Sequence, residues 1–214
     1  MESRSVSTRR YDNRGRTDAA RLARRRVLEA ARDLFVANGY ARTTIAEIAR
    51  AGQVSPQTVY AVFGSKAALL KGAYDITLAG DDEDVPMRDR PEFQRLARAT
   101  STDELLNGYA ALVRSILARL RPMLPLIYGT RAVEPDLDEL ALTAAQERRF
   151  GAHAFATHAV SGGYLRPGLD AEVVADLVWV LNAPETYLLL TRSGGLDDDG
   201  YQRWLEGALR VALT

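Results

Sequence analysis

Two helix starts, at Thr44 and Ser55, stand so close together that the chain between them has room for one short helix and one turn. Thr44 and Glu47 form a capping box: the hydroxyl accepts the third-position N–H and the carboxylate reaches back to the cap N–H. Ser55-Pro56 is a second N-terminal signature, a capping hydroxyl followed by proline at the first helical position. Gly52 ends the first helix and Gly64 interrupts the second. Ile45, Ile48 and Ala49 face inward from the first, while Val54, Val59 and Phe63 fill the junction. Upstream, apolar periodicity begins near Ala20, places Val27, Ala31, Leu34 and Phe35 on one face, and stops at Asn38-Gly39. Three short helices, the second and third joined by a tight turn through Gly52, have the layout of a helix-turn-helix.

That layout leaves Gln57, Thr58 and Ala61 on the outside of the third helix. Gln57 can read adenine through its paired amide groups, and Thr58 can donate a hydrogen bond or offer its methyl to thymine. Tyr60, apolar in body and polar at its tip, suits a phosphate contact from the flank. Thr43, Thr44 and Lys66 stand at helix starts, where side chains and free backbone N–H groups hold phosphates. Lys66 is unfavourable there for the helix dipole, which favours a phosphate role. Ser55 belongs to the same surface.

The charge distribution points to the same partner. Lys and Arg equal Asp and Glu at 28 each, but residues 1–71 carry +8 and residues 72–214 carry −8. Such segregation implies one face for a polyanion, here double-stranded DNA. Residues 1–19, with Arg4, Arg9, Arg10, Arg14 and Arg16, read as a flexible basic arm that releases counterions or enters a minor groove.

The run from Ile45 to Ser55, then Thr58-Val59-Tyr60, Phe63, Lys66 and Leu69-Leu70, resembles the TetR-type repressors. Ala30 to Phe35, Gly39-Tyr40 and Thr43-Thr44 fit the same pattern. The resemblance implies a dimeric, all-helical protein with an inducer pocket in its C-terminal domain. It also implies that Thr44, Tyr60 and Lys66 touch phosphates while Gln57 and Thr58 lie at the groove. Gly64 departs from the pattern, which usually has a polar residue there, so one phosphate contact is lost. Gly163 to Leu169, with Trp179, Pro184-Glu185 and Tyr187, resembles a subgroup whose members answer to very different small molecules.

The remainder reads as helices, with no run of alternating strands, so the fold class is all-α. A short helix holds Phe93 and Leu96. A longer one begins at the Ser101/Glu104 capping box and ends near Pro122 and Pro125. Others span about 137–160, 171–192 and 200–213. Asp81 to Asp84 and Asp197 to Asp199 read as solvated acidic loops. The segment 171–192 is apolar around most of its circumference, so it needs a second cover besides its own core. A second copy of the chain is the economical cover, through Val173, Leu177, Leu181 and Leu188 with Trp204 and Leu209 of the last helix. Pro184 kinks this helix. Tyr109, Tyr128, His153, Trp179, Asn182 and Tyr187 are the amphipathic groups on otherwise apolar helices, a mixture that suits a ligand cavity. The lack of a charged cluster there favours a neutral or mostly apolar effector.

Several classes are disfavoured. Cysteine is absent, and the two histidines, His153 and His158, are spaced badly for one helix face, so no metal or cofactor is expected. No Gly-rich phosphate loop or nucleophile elbow argues for an enzyme. The pattern shows no secretory signal and no long uninterrupted apolar span, so a cytoplasmic location away from membranes is expected. The organisation expected is an arm at 1–19, a DNA-binding domain at 20–65, and a connecting helix with an effector and dimerisation domain at 66–214. The function expected is a repressor released from its operator by a small molecule. The alternatives are a regulator controlled by a protein partner and a nonspecific DNA binder.

Overall fold

In the computed structural model, the backbone is described for residues 7–83 and 85–214, and side chains for 18–83 and 85–214. Every regular element among these residues is a helix. The chain divides into two compact units, residues 1–76 and 77–214.

The first unit holds α1 (Ser7–Asn38), α2 (Ile45–Ala51), α3 (Pro56–Phe63) and most of α4 (Lys66–Ala79). The start of α1 lies well ahead of Ala20, because residues 7–19 carry no apolar stripe and periodicity cannot register a helix without one. Arg4 lies outside the described residues, and so do the side chains of Arg9, Arg10, Arg14 and Arg16. Val27, Leu28, Ala31 and Phe35 of α1, Ile48 and Ala49 of α2, Val59 of α3, and Leu69 and Leu70 of α4 are all buried. Both expected caps are present: Thr44 and Glu47 exchange their bonds, and Ser55 Oγ accepts from the Thr58 N–H.

In the turn between α2 and α3, Gly52 has an ordinary right-handed backbone (φ −77°), and the left-handed residue is Gln53 (φ 58°). Gly52 is required by contact, because it lets the helices approach closely. A Cβ there would stand 2.8 Å from Val27 Cγ2 and 3.1 Å from Val27 Cα, closer than the backbone of α1 permits.

The second unit contains α5 (Pro91–Ala97), α6 (Thr102–Leu120), α7 (Leu124–Thr130), α8 (Pro135–Ser161), α9 (Ala171–Leu181), α10 (Pro184–Leu188) and α11 (Asp198–Leu213). Its principal packing runs α8 along α9 and α6 along α11. The expected single helix over 171–192 is broken. Asn182 caps α9, Pro184 opens α10 as its first residue, and the chain ends in a π-helical turn, Leu189–Ser193. Pro184 therefore starts a helix and does not kink one, which satisfies its lack of an N–H. By length and composition Ala171–Ser193 is apolar enough to cross a membrane, contrary to the expectation of no such span, and only 33% of it is buried.

The acidic segments are paired, not merely solvated. Arg90 donates from Nη1 and Nη2 to Asp81 (2.7 and 2.9 Å). Asp197 caps α11, Asp198 accepts from the Tyr187 hydroxyl (2.6 Å), and Asp199 pairs with Arg114 (2.5 Å).

The geometry at the turn predicts opposite outcomes for neighbouring substitutions. Gly52→Ala should lower stability by about 1–3 kcal/mol, because α1 must move away from α2. Gln53→Gly relieves a left-handed side-chain conformation and should stay within about 1 kcal/mol of the parent. Urea unfolding of the two variants checks both; an unperturbed Gly52→Ala would remove the contact argument.

Candidate nucleic-acid interface and effector site

On α3, Val59 is buried at 2% exposure and Phe63 is half-buried, with the Arg24 guanidinium 5.6 Å from its ring centre. The opposite face exposes Pro56, Gln57, Thr58, Tyr60, Ala61 and Val62. Gln57, Thr58 and Tyr60 therefore share one open surface, as expected, with Val62 beside them. Arg42 and Arg50 are exposed cations on the neighbouring turn and on α2.

The expected phosphate group divides. Thr43 is buried, and its hydroxyl donates to the Gly39 and Leu34 carbonyls (2.9 and 3.1 Å), closing the end of α1. Lys66 Nζ donates to the Tyr40 carbonyl (2.5 Å) and lies 4.2 Å from the Tyr40 ring centre. It thus ties the start of α4 to the turn after α1, the internal partner that offsets its unfavourable place on the helix dipole. Thr44 remains exposed, its hydroxyl bonded to Glu47 Oε2 (2.8 Å). These bonds with the Thr44 backbone and hydroxyl hold the Glu47 carboxyl below its ordinary range.

In the second unit, three of the expected effector residues join one bonded cluster with Arg148, which the sequence reading did not single out. Arg148 Nη1 donates to Asn182 Oδ1 (2.7 Å) and to the Trp179 carbonyl, and the guanidinium lies over the Trp179 ring at 5.2 Å. Asn182 Nδ2 donates to the Tyr109 hydroxyl (2.6 Å), whose ring meets Phe155 at 4.2 Å. Trp179 Nε1 donates to the Ala145 carbonyl (3.1 Å). Among the described residues, Tyr128 makes no bond to the cluster; burial, then the Glu185 carboxylate, pushes its phenol up to about 12, with Arg148 opposing.

The signal for Arg148 was present in the pattern. It stands between Ala141, Ala144, Ala152 and Phe155 on the buried stripe of α8, where an apolar residue is expected. Tyr201 was also missed. It is fully buried, edge-on to Tyr187 at 4.9 Å, and its hydroxyl has no protein partner. Tyr109, Arg148 and Tyr187 lie within electrostatic reach of it. Tyr187 thus joins the cluster only through Tyr201. His153 does not join it: its ring faces Glu172 (3.4 Å) and Arg149 (3.5 Å) at the α8–α9 surface.

The expected interface residues also divide. Val173 is 63% exposed, while Leu177, Leu181, Leu188 and Trp204 are half-exposed. Leu209 is fully buried in its own chain, because the apolar stripe of α11 packs on α6. Further apolar exposure lies on α8, at Leu142 and Phe150, and on α9 at Val180. Among the described residues, no group of His, Asp and Glu is arranged to hold a metal ion.

A capped helix pair that presents an uncharged third helix defines a helix-turn-helix DNA-binding unit, and the comparisons give its family. Residues 27–73 match the family model of bacterial regulatory proteins, tetR family. The Bacillus subtilis HTH-type transcriptional regulator YdeS is 27% identical over 178 residues, spanning 83% of this chain and 82% of its own. Two solved structures share the fold. The SmeT–triclosan complex has 18% identity and a TM-score of 0.67, over 90% of this chain and 91% of its own. A transcriptional regulator from Saccharomonospora viridis in complex with choline has 20% identity and a TM-score of 0.63, over 89% and 97%. Residues 27–73 thus carry the segment that defines the tetR family, and the solved structures share the fold of the chain as a whole.

The Tyr201 environment predicts an alkaline signature. Burial raises its phenol above the ordinary 10.0, so the unfolded chain ionises first and stability falls as pH rises beyond about 10. Tyr201→Phe should reduce that fall. At neutral pH it should leave stability equal or increase it by about 1 kcal/mol, since a buried hydroxyl without a partner is removed. Urea titrations at neutral and alkaline pH measure both, and a marked loss at neutral pH would show that the hydroxyl has a stabilising partner.

Proposed function

We propose that the protein is a transcriptional repressor that binds operator DNA as a homodimer and releases it when a small molecule enters the Arg148 cluster. The observation that carries this reading is the open, uncharged face of α3, presented beside exposed cations in the family's DNA-binding segment. Thr44, Ser55, Tyr60, Arg42 and Arg50 hold phosphates in this account, while Gln57 and Thr58 meet base edges. Lys66 and Thr43 act from behind, by fixing α4 and the turn after α1. A cytoplasmic location follows from this role.

The dimer forms through the apolar face of α8 and α9, where Leu142, Phe150, Val173 and Val180 are exposed and Leu177 and Leu181 are half-exposed. The effector is mostly apolar and carries an acceptor oxygen. Arg148 and the Tyr109 and Tyr201 hydroxyls form a donor-rich cluster whose two acceptors, Asn182 Oδ1 and the Trp179 carbonyl, already serve Arg148. The ligands named in two related folds, triclosan and choline, favour a small-molecule input. A path for coupling exists at the end of α4. Arg119 of α6 donates to the Leu78 carbonyl from Nε and Nη2 (3.1 and 2.7 Å), so a shift of α6 reaches that helix directly. Release requires the effector to prefer the DNA-incompetent state, and linkage then obliges operator DNA to weaken effector binding by the same factor.

Val180→Arg, on an exposed position, should yield a folded monomer with greatly reduced operator affinity; Leu177→Arg should do the same with greater effect. Sedimentation equilibrium and duplex titration read the two properties, and a dimeric Val180→Arg would move the interface elsewhere. Once an effector has been found by thermal-shift screening, calorimetric titration into free and operator-bound protein tests the coupling. Equal affinities in the two titrations would remove the release mechanism while leaving DNA binding intact.

A further inference from the structure

The recognition surface of α3 offers partners for only two of the four bases. Its sequence, Pro56 to Phe63, contains no Lys, Arg, Asp or Glu. Gln57 and Ala61 are one helical turn apart, as are Thr58 and Val62, so these four form a double row facing away from buried Val59. Val62 is 53% exposed on this open face. The Thr58 hydroxyl is directed to Ser55 Oγ (2.9 Å), within the cap that also holds the Thr58 N–H (3.0 Å). Thr58 therefore presents its γ-methyl outward. The row is one primary amide set among methyl groups.

Major-groove chemistry then selects the bases. Guanine shows two acceptors, met by the paired donors of Arg or Lys, and cytosine shows a donor, met by Asp or Glu. None of these four residues is on α3. Adenine shows an acceptor and a donor side by side, which the Gln57 amide matches. Thymine carries the apolar group of the major-groove edge, its C5 methyl, which Thr58, Ala61 and Val62 match.

We propose that α3 reads A·T pairs, with Gln57 on adenine and Thr58, Ala61 and Val62 on thymine methyls, so that guanine and cytosine are not specified beneath this helix. The inference rests on the DNA-binding function proposed above and adds the base class it recognises. Val62 is a specificity-determining residue in this account, through a methyl-to-methyl contact that needs no hydrogen bond. The exposed cations Arg42 and Arg50 stand off α3 and supply affinity through phosphates, which is sequence-independent.

The test begins with selection from a random-sequence duplex pool, using the full chain and its Gln57→Ala and Val62→Ala variants. Both side chains are exposed, and circular dichroism verifies that each variant remains folded. Base positions whose preference changes in a variant are those beneath α3, and they should be A·T pairs. The selected duplex is then synthesised with deoxyuridine replacing each thymine in turn, which deletes one methyl and changes no hydrogen bond. Affinity should fall about three- to fivefold at each contacted thymine, the loss expected for one buried methyl. Val62→Ala should become insensitive to at least one of these replacements. Guanine or cytosine at the α3 positions, or unchanged affinity for every deoxyuridine duplex, would overturn the inference while leaving sequence-specific binding in place. Failure to enrich any sequence would overturn the operator-binding function itself.

Discussion

The contact between Val27 and the backbone of Gly52 determines where α3 can stand. α1 and α2 approach until a side-chain carbon at position 52 has no room, and the turn leaves that point at a fixed angle. α2 packs on α1 and α3 on α2, with Ile48, Ala49 and Val59 buried. α2 and α3, at seven and eight residues, are too short to be stable alone. Their order comes from this packing and from caps at Thr44 and Ser55 that satisfy the first N–H groups of each helix. Lys66 extends the same scheme to α4 by joining its first turn to the Tyr40 carbonyl and ring. The open face of α3 is thus presented by a frame with little freedom at any joint, as a reader of base edges requires.

Much of this unit was legible in the sequence because its signals are local. A capping box, a Ser-Pro start and a glycine end each act over three or four residues, and the chemistry of each can be recognised without knowing what packs nearby. The turn shows where that stops: a glycine between crossing helices signals a close approach, but that Val27 is the neighbour and that Gln53 takes the left-handed conformation are not local signals. Residues 7–19 illustrate a second limit, since a sequence without an apolar stripe leaves no periodicity to read. The effector cluster was legible in membership but not in centre. Tyr109, Trp179 and Asn182 stand out as polar groups on apolar helices, whereas the arginine that joins them is fixed by contacts more than thirty residues away in sequence. His153, with the same amphipathic character, faces outward because its turn of α8 points towards Glu172 and Arg149.

The break between α9 and α10 explains how one stretch can be both highly apolar and internally polar. Pro184 cannot continue the hydrogen-bond ladder, so the chain stops at Asn182 and restarts. The interruption puts a primary amide at the depth of the core, where an unpaired group is costly. Arg148 and Tyr109 take its oxygen and nitrogen, and Arg148 also takes the Trp179 carbonyl. Outside this polar seam, Val173 and Val180 remain uncovered within the chain.

The separation of charge along the chain has a consequence for how affinity and selectivity divide. Cations in the N-terminal segment stand on α1, α2, the turn between them and α4, whereas α3 has none. Phosphate attraction depends steeply on salt and carries no sequence information, while contacts between methyl groups are nearly indifferent to salt. In the proposed complex, placing charge and methyl groups on different helices lets each vary without the other: a changed arginine on α2 alters how tightly any duplex is held, and a changed Gln57 or Val62 on α3 alters which duplex is preferred. An arginine on α3 would have coupled them, because it adds the same attraction to every sequence while specifying guanine in one. The neutral α3 avoids that coupling, so the ratio between selected and unselected duplexes should depend less on ionic strength than the affinities themselves do. Titrating the full chain with a selected duplex and a random one over a range of salt would show it as two lines of nearly equal slope. A steeper slope for the selected duplex would place additional cation–phosphate contacts in the specific complex alone, and the division between helices would then be incomplete.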